Sequence, residues 1–228
     1  MNTQPGLRRE VAAGSLVATA LLSVISLLTM PEWPDGFAAL LGTIEDHPTT
    51  SLVSALTFVL AQLPFFVAAV AIGGLVIPSK PVLGGIGVAF AVVGGFGHSV
   101  YGGVAITQLE MAADTSHHAV HADVLTGLES SPLLAFMAMG LLGTVLGLLL
   151  LAIGLGRSRA VPTWIPGALG LFLATEFVGS AITDWAAYAS AVLYLAAFTG
   201  LAVAVWQRPA ANVESATDLV ETEALGDS

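Results

Sequence analysis

The residues best suited to chemistry are histidines, and four of the chain's five lie between residues 94 and 123. His117 and His121 are four positions apart, so a helix would place both imidazoles on one face. Two neutral imidazoles are half of a site for zinc or copper, although this spacing lacks the built-in base of an HExxH motif. We therefore predict a metal site whose ligands come from among His98, His117, His121, Asp123 and Asp184, with His47 and Glu110 as further donors.

Two other interpretations of the same histidines stay open. Histidine changes charge near neutral pH, so an outward-facing cluster of histidines and carboxylates is also suited to sensing pH. Alternatively, these side chains are solvated and bind nothing, because the loop that contains them, residues 109–131, is rich in acidic residues.

Glu176 is the only carboxylate well inside a predicted membrane span. A charged residue at the centre of a span costs roughly 2.5–3.5 kcal/mol on insertion scales, so we expect Glu176 to face the bundle and not lipid. Gln62 lies beside Pro64 in the second span. In the third span, His98 and Tyr101 are three positions apart, and we expect both to face the bundle together. An intramembrane carboxylate below a histidine-rich entrance suits a proton-linked small-solute carrier, although the sequence shows no inverted repeat.

A zinc-dependent intramembrane hydrolase is a further alternative. Membrane ceramidase-like hydrolases combine a serine, an aspartate and three histidines around zinc, and this chain is similar to them in residue types. The matching residues are Ser99, Asp184, His98, His117 and His121. The arrangement differs, because two of these histidines are predicted to lie in a loop. We therefore favour a binding or sensing protein over an enzyme.

The elements that must position these residues are membrane spans. With 56% hydrophobic residues, 10% charged residues and a mean hydropathy of +0.88, the chain is too apolar for an ordinary soluble domain. It has no cysteine, which excludes disulfides and thiolate metal sites. A span needs about 20 mostly apolar residues; such segments lie near 11–30, 51–77, 82–108, 132–156, 161–182 and 186–206. We predict an all-α, six-span transmembrane bundle over residues 1–206, surrounded by a lipid bilayer, and a disordered acidic cytoplasmic tail over 207–228.

The basic residues fall on one side if the six spans alternate in direction. They are Arg8, Arg9, Lys80, Arg157, Arg159 and Arg208. The opposite loops contain acidic residues and no Lys or Arg. By the positive-inside rule, this distribution predicts a plasma-membrane protein with both termini in the cytoplasm and the histidines outside. The net charge of −10 gives no reason to expect a nucleic-acid partner.

Both long outer loops are predicted to contain a short helix. In the first loop, four apolar residues recur at i, i+3, i+4 and i+7, which places them on one face of a helix in the membrane interface. They are Phe37, Leu40, Leu41 and Ile44. In the second loop, Asp114 or Ser116 is the expected N-cap. The expected apolar face of this second helix consists of Val120, Val124 and Leu128.

The third and fourth spans are rich in glycine. The stripes include Gly94, Gly95 and Gly97 in the third span, and Gly140, Gly143 and Gly147 in the fourth. Small residues let transmembrane helices approach closely. We expect these stripes to pack helices either within a protomer or between the protomers of a homo-oligomer. A structural or partner-binding role is accordingly another open alternative.

The layout resembles a group of bacterial six-helix membrane proteins catalogued as a domain of unknown function. The similar features are the long loop after the first span, the tight basic turn between the second and third, and the passage RAVPTWIPG over residues 159–167. The resemblance extends over nearly the whole chain. It implies a fold and no activity.

Overall fold

The computed structural model describes residues 5–183 and 185–207, which are mostly helical and contain no strand. The described α-helices are α1 (Pro5–Thr29), α2 (Phe37–Asp46), α3 (Pro48–Val76), α4 (Pro81–Ala113), α5 (His118–Leu128), α6 (Leu133–Ser158), α7 (Trp164–Phe177) and α8 (Trp185–Trp206). A 3₁₀ turn over Thr115–His117 precedes α5, and another over Gly179–Ala181 follows α7. Apart from Gln207, the predicted acidic tail lies outside the described residues.

Six of the described helices are long and apolar enough to cross a membrane. They are α1, α3, α4, α6, α7 and α8, with α7 extended by its 3₁₀ turn to Ala181. Pro48 and Pro81 begin α3 and α4, where the N–H that proline lacks would have no partner within the helix. Exposed apolar side chains such as Leu63 and Val82 fit a surface that faces lipid. The predicted six-span transmembrane bundle is therefore confirmed.

Spans that follow one another in the chain pack side by side, and α8 returns to pack against α1. The six spans therefore form a closed ring in chain order. Polar contacts join neighbours: the Ser26 hydroxyl of α1 donates to the Ser54 carbonyl of α3 at 3.0 Å, and Ser190 of α8 contacts Glu176 of α7. As a result, all six spans border one interior.

The most extensive contact between described helices joins α4 and α6, and glycines form it. A Cβ atom on Gly143 would lie 2.6 Å from the Gly94 nitrogen. A Cβ atom on Gly97 would lie 2.5 Å from the Phe136 carbonyl oxygen. The glycine stripes thus bring the two backbones together within one protomer, while assembly into a homo-oligomer stays a prediction.

Helices α2 and α5 pack on each other and on the end of α4, and we call residues 37–46 and 114–128 the cap. The buried core beneath the cap consists of Leu40, Leu41, Ile44, Ala112 and Leu125. The predicted face of α2 is therefore confirmed. Of the predicted face of α5, Leu128 packs against this core, but Val120 and Val124 are wrong, because they are 57% and 48% exposed whereas Leu125 is 2% exposed. Helix α2 packs against the side of α5 that contains Leu125. It also places the Oε2 atom of Glu45 3.9 Å from the Nδ1 atom of His118.

The two ends of the bundle differ chemically. The histidine end bears the cap, and the opposite, basic end bears the start of α1, the α3–α4 turn and the α6–α7 turn. Toward the basic end, the interior is filled by fully buried apolar side chains, including Ile72, Leu151, Leu155, Leu169 and Leu201. Toward the histidine end, the interior contains polar side chains and a cavity.

Candidate functional site

A cavity of about 310 Å³, the central cavity, lies inside the ring of spans and toward the histidine end. Every span contributes at least one polar side chain to its wall. In chain order these include Ser23, Gln62, His98, Thr144, Glu176 and Ser190. Three residues singled out from the sequence, Gln62, His98 and Glu176, therefore border the same space.

Glu176 lies in the last turn of α7, and its carboxyl group contacts the hydroxyl of Ser190 on α8. Ser190 is 1% exposed, and its hydroxyl oxygen is also 2.8 Å from the Ala187 carbonyl oxygen. A hydroxyl group donates only one proton, whereas an ionised carboxylate and a carbonyl can only accept. The Ser190 hydroxyl therefore donates its proton to one of these two acceptors at a time or shares it between them.

His98 and Gln62 face the central cavity from α4 and α3. The Nδ1 atom of His98 is 3.4 Å from the Thr144 hydroxyl, and its ring meets that of Phe58 edge-on, with centroids 5.6 Å apart. Gln62 is buried and donates from Nε2 to the Phe58 carbonyl at 2.9 Å. His98 therefore belongs to the wall of the central cavity and is separate from the histidines of the cap.

Thr19 of α1 also lines the central cavity, and its hydroxyl has no hydrogen-bond partner among the described residues. Other threonines in these helices donate to the carbonyl four positions earlier, as Thr29 and Thr57 do at 2.7 Å. Thr19 is 1% exposed, and a buried hydroxyl without a partner costs about 1–3 kcal/mol. Its hydroxyl is thus an uncompensated polar group in the cavity wall.

A second polar cluster lies in the cap, outside the membrane spans. The Oδ2 atom of Asp114 is 2.9 Å from Nδ1 of His117 and 3.2 Å from Nε2 of His121. The Ser116 hydroxyl donates to Oδ1 of Asp114 at 2.8 Å. The prediction that Asp114 or Ser116 caps α5 is wrong, because α5 begins at His118 and neither side chain makes a capping bond. Asp114 joins the two imidazoles instead.

These hydrogen bonds lower the pKa of Asp114, with the bond to His117 having the largest effect, followed by those to Ser116 and His121. An unperturbed aspartate has a pKa of about 3.9. Because folding lowers the pKa of Asp114, its hydrogen bonds stabilise the cap fully at pH values above the ordinary aspartate pKa. The contribution is lost only as the pH falls through the folded-state pKa. The carboxylate therefore stays ionised over the range in which histidines generally change charge.

The structure does not bring the predicted metal ligands together. His117 and His121 lie in the cap, His98 lines the central cavity, and Asp123 is exposed on α5. Asp184 lies outside the described residues. Over residues 5–183 and 185–207, no group of three or more histidine, aspartate or glutamate side chains is placed to hold a metal ion. Zinc or copper binding therefore stays a prediction from the histidine spacing.

Tyr101 and His98 line different cavities, so the prediction that they face the interior together is wrong. Positions three apart differ by about 60° around a helix, which is enough to separate them. Tyr101 borders a second cavity of about 250 Å³ between the cap and α6, together with Glu129. Ser99, the serine of the hydrolase alternative, donates to the Gly95 carbonyl at 2.8 Å within α4. The residues of that alternative are thus divided between the bundle and the cap.

Three residues of these sites were missed from the sequence. Asp114 precedes His117 by three positions and His121 by seven, a helical spacing that a search for shared faces would detect. Ser190 lies on a different span from its partner Glu176, so no local pattern identifies it. Thr19 cannot be distinguished in the sequence from other threonines of apolar helices, because only the structure shows that its hydroxyl has no hydrogen-bond partner among the described residues.

Comparison with protein-family models, curated proteins and solved structures found no match. The chain is a six-span membrane protein with a polar central cavity and a histidine-bearing cap. The central cavity and the cap are therefore its two candidate functional sites.

Proposed function

We propose that this chain is a proton-linked small-solute carrier in which Glu176 binds either a proton or the solute. The position of Glu176 supports this proposal, because it is the only acid among the described residues that line the central cavity and its carboxyl group accepts a hydrogen bond from Ser190. Loss of the proton leaves a charge within the membrane that requires another partner. A solute that provides this partner competes with the proton, and the two therefore exchange in opposite directions.

The distribution of basic residues orients the proposed carrier. The positive-inside rule places the basic end and both termini in the cytoplasm, and the cap outside the plasma membrane. The central cavity then lies in the outer half of the bundle. Buried apolar side chains such as Leu151 and Leu201 separate the cavity from the cytoplasm. This arrangement is expected of a carrier that is ready to load from outside.

The shortness of α7 is consistent with the same function. Its 14 residues extend about 21 Å, less than the roughly 30 Å of the hydrocarbon core. The helix ends at Phe177, beside the central cavity, and the Ser180 hydroxyl donates to the Glu176 carbonyl that the helix end would leave free. The 3₁₀ turn over Gly179–Ala181 completes this 18-residue span, so the backbone changes conformation beside Glu176.

Carboxyl labelling tests the proposal without knowledge of the solute. Dicyclohexylcarbodiimide is an apolar reagent that modifies protonated carboxyl groups, and mass spectrometry identifies the modified residues. In full-length protein reconstituted into liposomes, we expect Glu176 to be the main labelled residue, because the apolar reagent concentrates in the membrane, where Glu176 lines the central cavity. The exposed residues Glu110 and Glu129 are controls in the same sample. Labelling of these controls with Glu176 unmodified would contradict the proposal.

A second candidate function, sensing of external pH by the cap, is favoured by the two imidazoles that share the Asp114 carboxylate. Protonation of either imidazole converts a neutral donor into a charged one, and a charge-assisted hydrogen bond is about twice as strong. Because Asp114 stays ionised, acidification that charges either imidazole should hold the cap more tightly.

Asp114→Asn is expected to abolish this gain, because the amide has no charge to pair with an imidazolium. The measurement is hydrogen–deuterium exchange over residues 114–128, corrected for the intrinsic pH dependence of exchange. Asp123→Asn, which alters an exposed carboxylate on the same helix, should retain the gain. An unchanged response in Asp114→Asn would exclude this role. Stoichiometric zinc or copper that disappears in a His117→Ala/His121→Ala variant would establish the metal site instead.

A further inference from the structure

We infer that the solute is a small organic cation with an apolar body, such as a protonated or quaternary amine. This ligand class rests on the proposed function, because the cation takes the place of the proton on Glu176. Three features of the central cavity support it: a single carboxylate, aromatic walls next to that carboxylate, and the unpaired hydroxyl of Thr19.

The charge of the central cavity favours a monocation. Among the described side chains that line it, Glu176 is the only acid, and none is Lys or Arg. The other titratable side chains facing this space are His98 on α4 and Tyr194 on α8, while α1, α3 and α6 present none. An anion would meet a carboxylate without a counter-charge, and a neutral solute would leave the carboxylate uncompensated. A monocation balances it one to one, as the proton does.

Aromatic rings adjoin the carboxylate. Phe172 and Phe177 lie four positions before and one position after Glu176, and both line the cavity together with Tyr194. The ring centroids of Phe172 and Tyr194 are 4.7 Å apart, so the two form a continuous wall. The faces of aromatic rings attract organic cations, and aromatic side chains surround quaternary ammonium groups in many binding sites. The same rings would cover the apolar body of an amine.

The size of the central cavity and the environment of Thr19 restrict the class of solute further. A volume of about 310 Å³ is at the lower end of the roughly 300–1,000 Å³ typical of ligand pockets, which favours a small molecule. The Thr19 hydroxyl is buried in the cavity wall without a partner among the described residues, so a rotation of this side chain toward the cavity would let a polar substituent of the solute bond to it. The favoured solute is thus a small ammonium compound with one hydrogen-bonding group.

Three solutes of nearly the same shape test the charge requirement. They are (2-hydroxyethyl)trimethylammonium, its neutral carbon analogue 3,3-dimethylbutan-1-ol, and the anion 3,3-dimethylbutanoate. Calorimetry on the full-length, detergent-purified protein at about pH 8 should show the cation binding at least about tenfold more tightly than the neutral analogue, with no binding of the anion. Acidification should weaken cation binding, because the cation and the proton compete for the same carboxyl group.

Variants identify the groups responsible. Glu176→Gln should reduce the affinity for the cation to that for the neutral analogue, while Glu129→Gln, at the second cavity, should retain wild-type affinity. Thr19→Val replaces the hydroxyl by a methyl group and should weaken the hydroxyl-bearing cation about fivefold, with no change for ethyltrimethylammonium. Heat-unfolding midpoints of all variants verify that they are folded.

Equal affinities for the cation and its carbon analogue, or an unchanged cation affinity in Glu176→Gln, would overturn the inference. The failure of the ligand class is distinguishable from the failure of the proposed function. If carbodiimide labels Glu176 but the protein does not discriminate among the three solutes, the cation hypothesis is rejected and the proton-linked function is retained. An absence of labelling at Glu176 would remove both.

Discussion

Gly143→Ala is expected to destabilise the bundle by at least about 2 kcal/mol, within the roughly 1–3 kcal/mol that overpacking costs. The added Cβ would lie 2.6 Å from the nitrogen and 2.7 Å from the Cα of Gly94. Because these are backbone atoms, no side-chain rotation relieves the contact, and α4 and α6 must move apart. The expected result is a lower heat-unfolding midpoint and less monodisperse protein on size-exclusion chromatography.

Gly156→Ala provides the matched control on the same helix. Its added Cβ would lie 4.0 Å from Pro166, an ordinary van der Waals distance, so stability should stay within about 0.5 kcal/mol of wild type. Gly95→Ala should fall between the two, since its Cβ would lie 2.9 Å from a ring carbon of Phe66, which can rotate. Wild-type stability of Gly143→Ala would show that α4 and α6 do not approach this closely.

Glu176→Gln is expected to abolish proton-linked exchange without loss of stability. The amide neither titrates nor holds a cation. The substitution removes a potential charge from the membrane, and the Ser190 hydroxyl keeps the Ala187 carbonyl as its acceptor. In proteoliposomes with an acidic lumen, uptake of isotopically labelled (2-hydroxyethyl)trimethylammonium should fall to the level of protein-free liposomes. The heat-unfolding midpoint should equal or exceed that of wild type.

The opposite pattern would assign Glu176 a structural role. In that pattern, Glu176→Gln would lower the heat-unfolding midpoint as far as Gly143→Ala does, and uptake per folded molecule would be retained. Ser190→Ala separates the two roles further. It removes the hydroxyl that donates to Glu176 and leaves the carboxyl group in place, so it should alter the pH dependence of uptake more than the maximum rate of uptake.

The spans and the first cap helix could be predicted because their signals are local. Each span is an uninterrupted apolar run, and the α2 face follows from the spacing of Leu40, Leu41 and Ile44. The insertion cost of an acid indicates in the same way that Glu176 faces inward, and the structure places it at the central cavity. The close contact of α4 and α6 also follows from composition, because only glycine permits it over such a length.

The remainder depends on contacts between residues that no short pattern connects. The sequence of α5 contains one apolar stripe through Val124 and another through Leu125, and the position of α2 decides which is buried. The pairing of Glu176 with Ser190 requires the relative rotation of α7 and α8. The sequence places His98 in a span and His117 in a loop, but the separation of their side chains depends on the path of the chain after α4, which no local pattern gives.

The number of protons released when the cation binds tests exchange at Glu176 most directly. Calorimetric titration of (2-hydroxyethyl)trimethylammonium in two buffers of different ionisation enthalpy gives this number. We predict that the wild-type protein releases protons when the cation binds, with more protons released per cation at lower pH, and that Glu176→Gln releases none. Cation binding without proton release in the wild type, or equal release in Glu176→Gln, would contradict exchange at this carboxyl group.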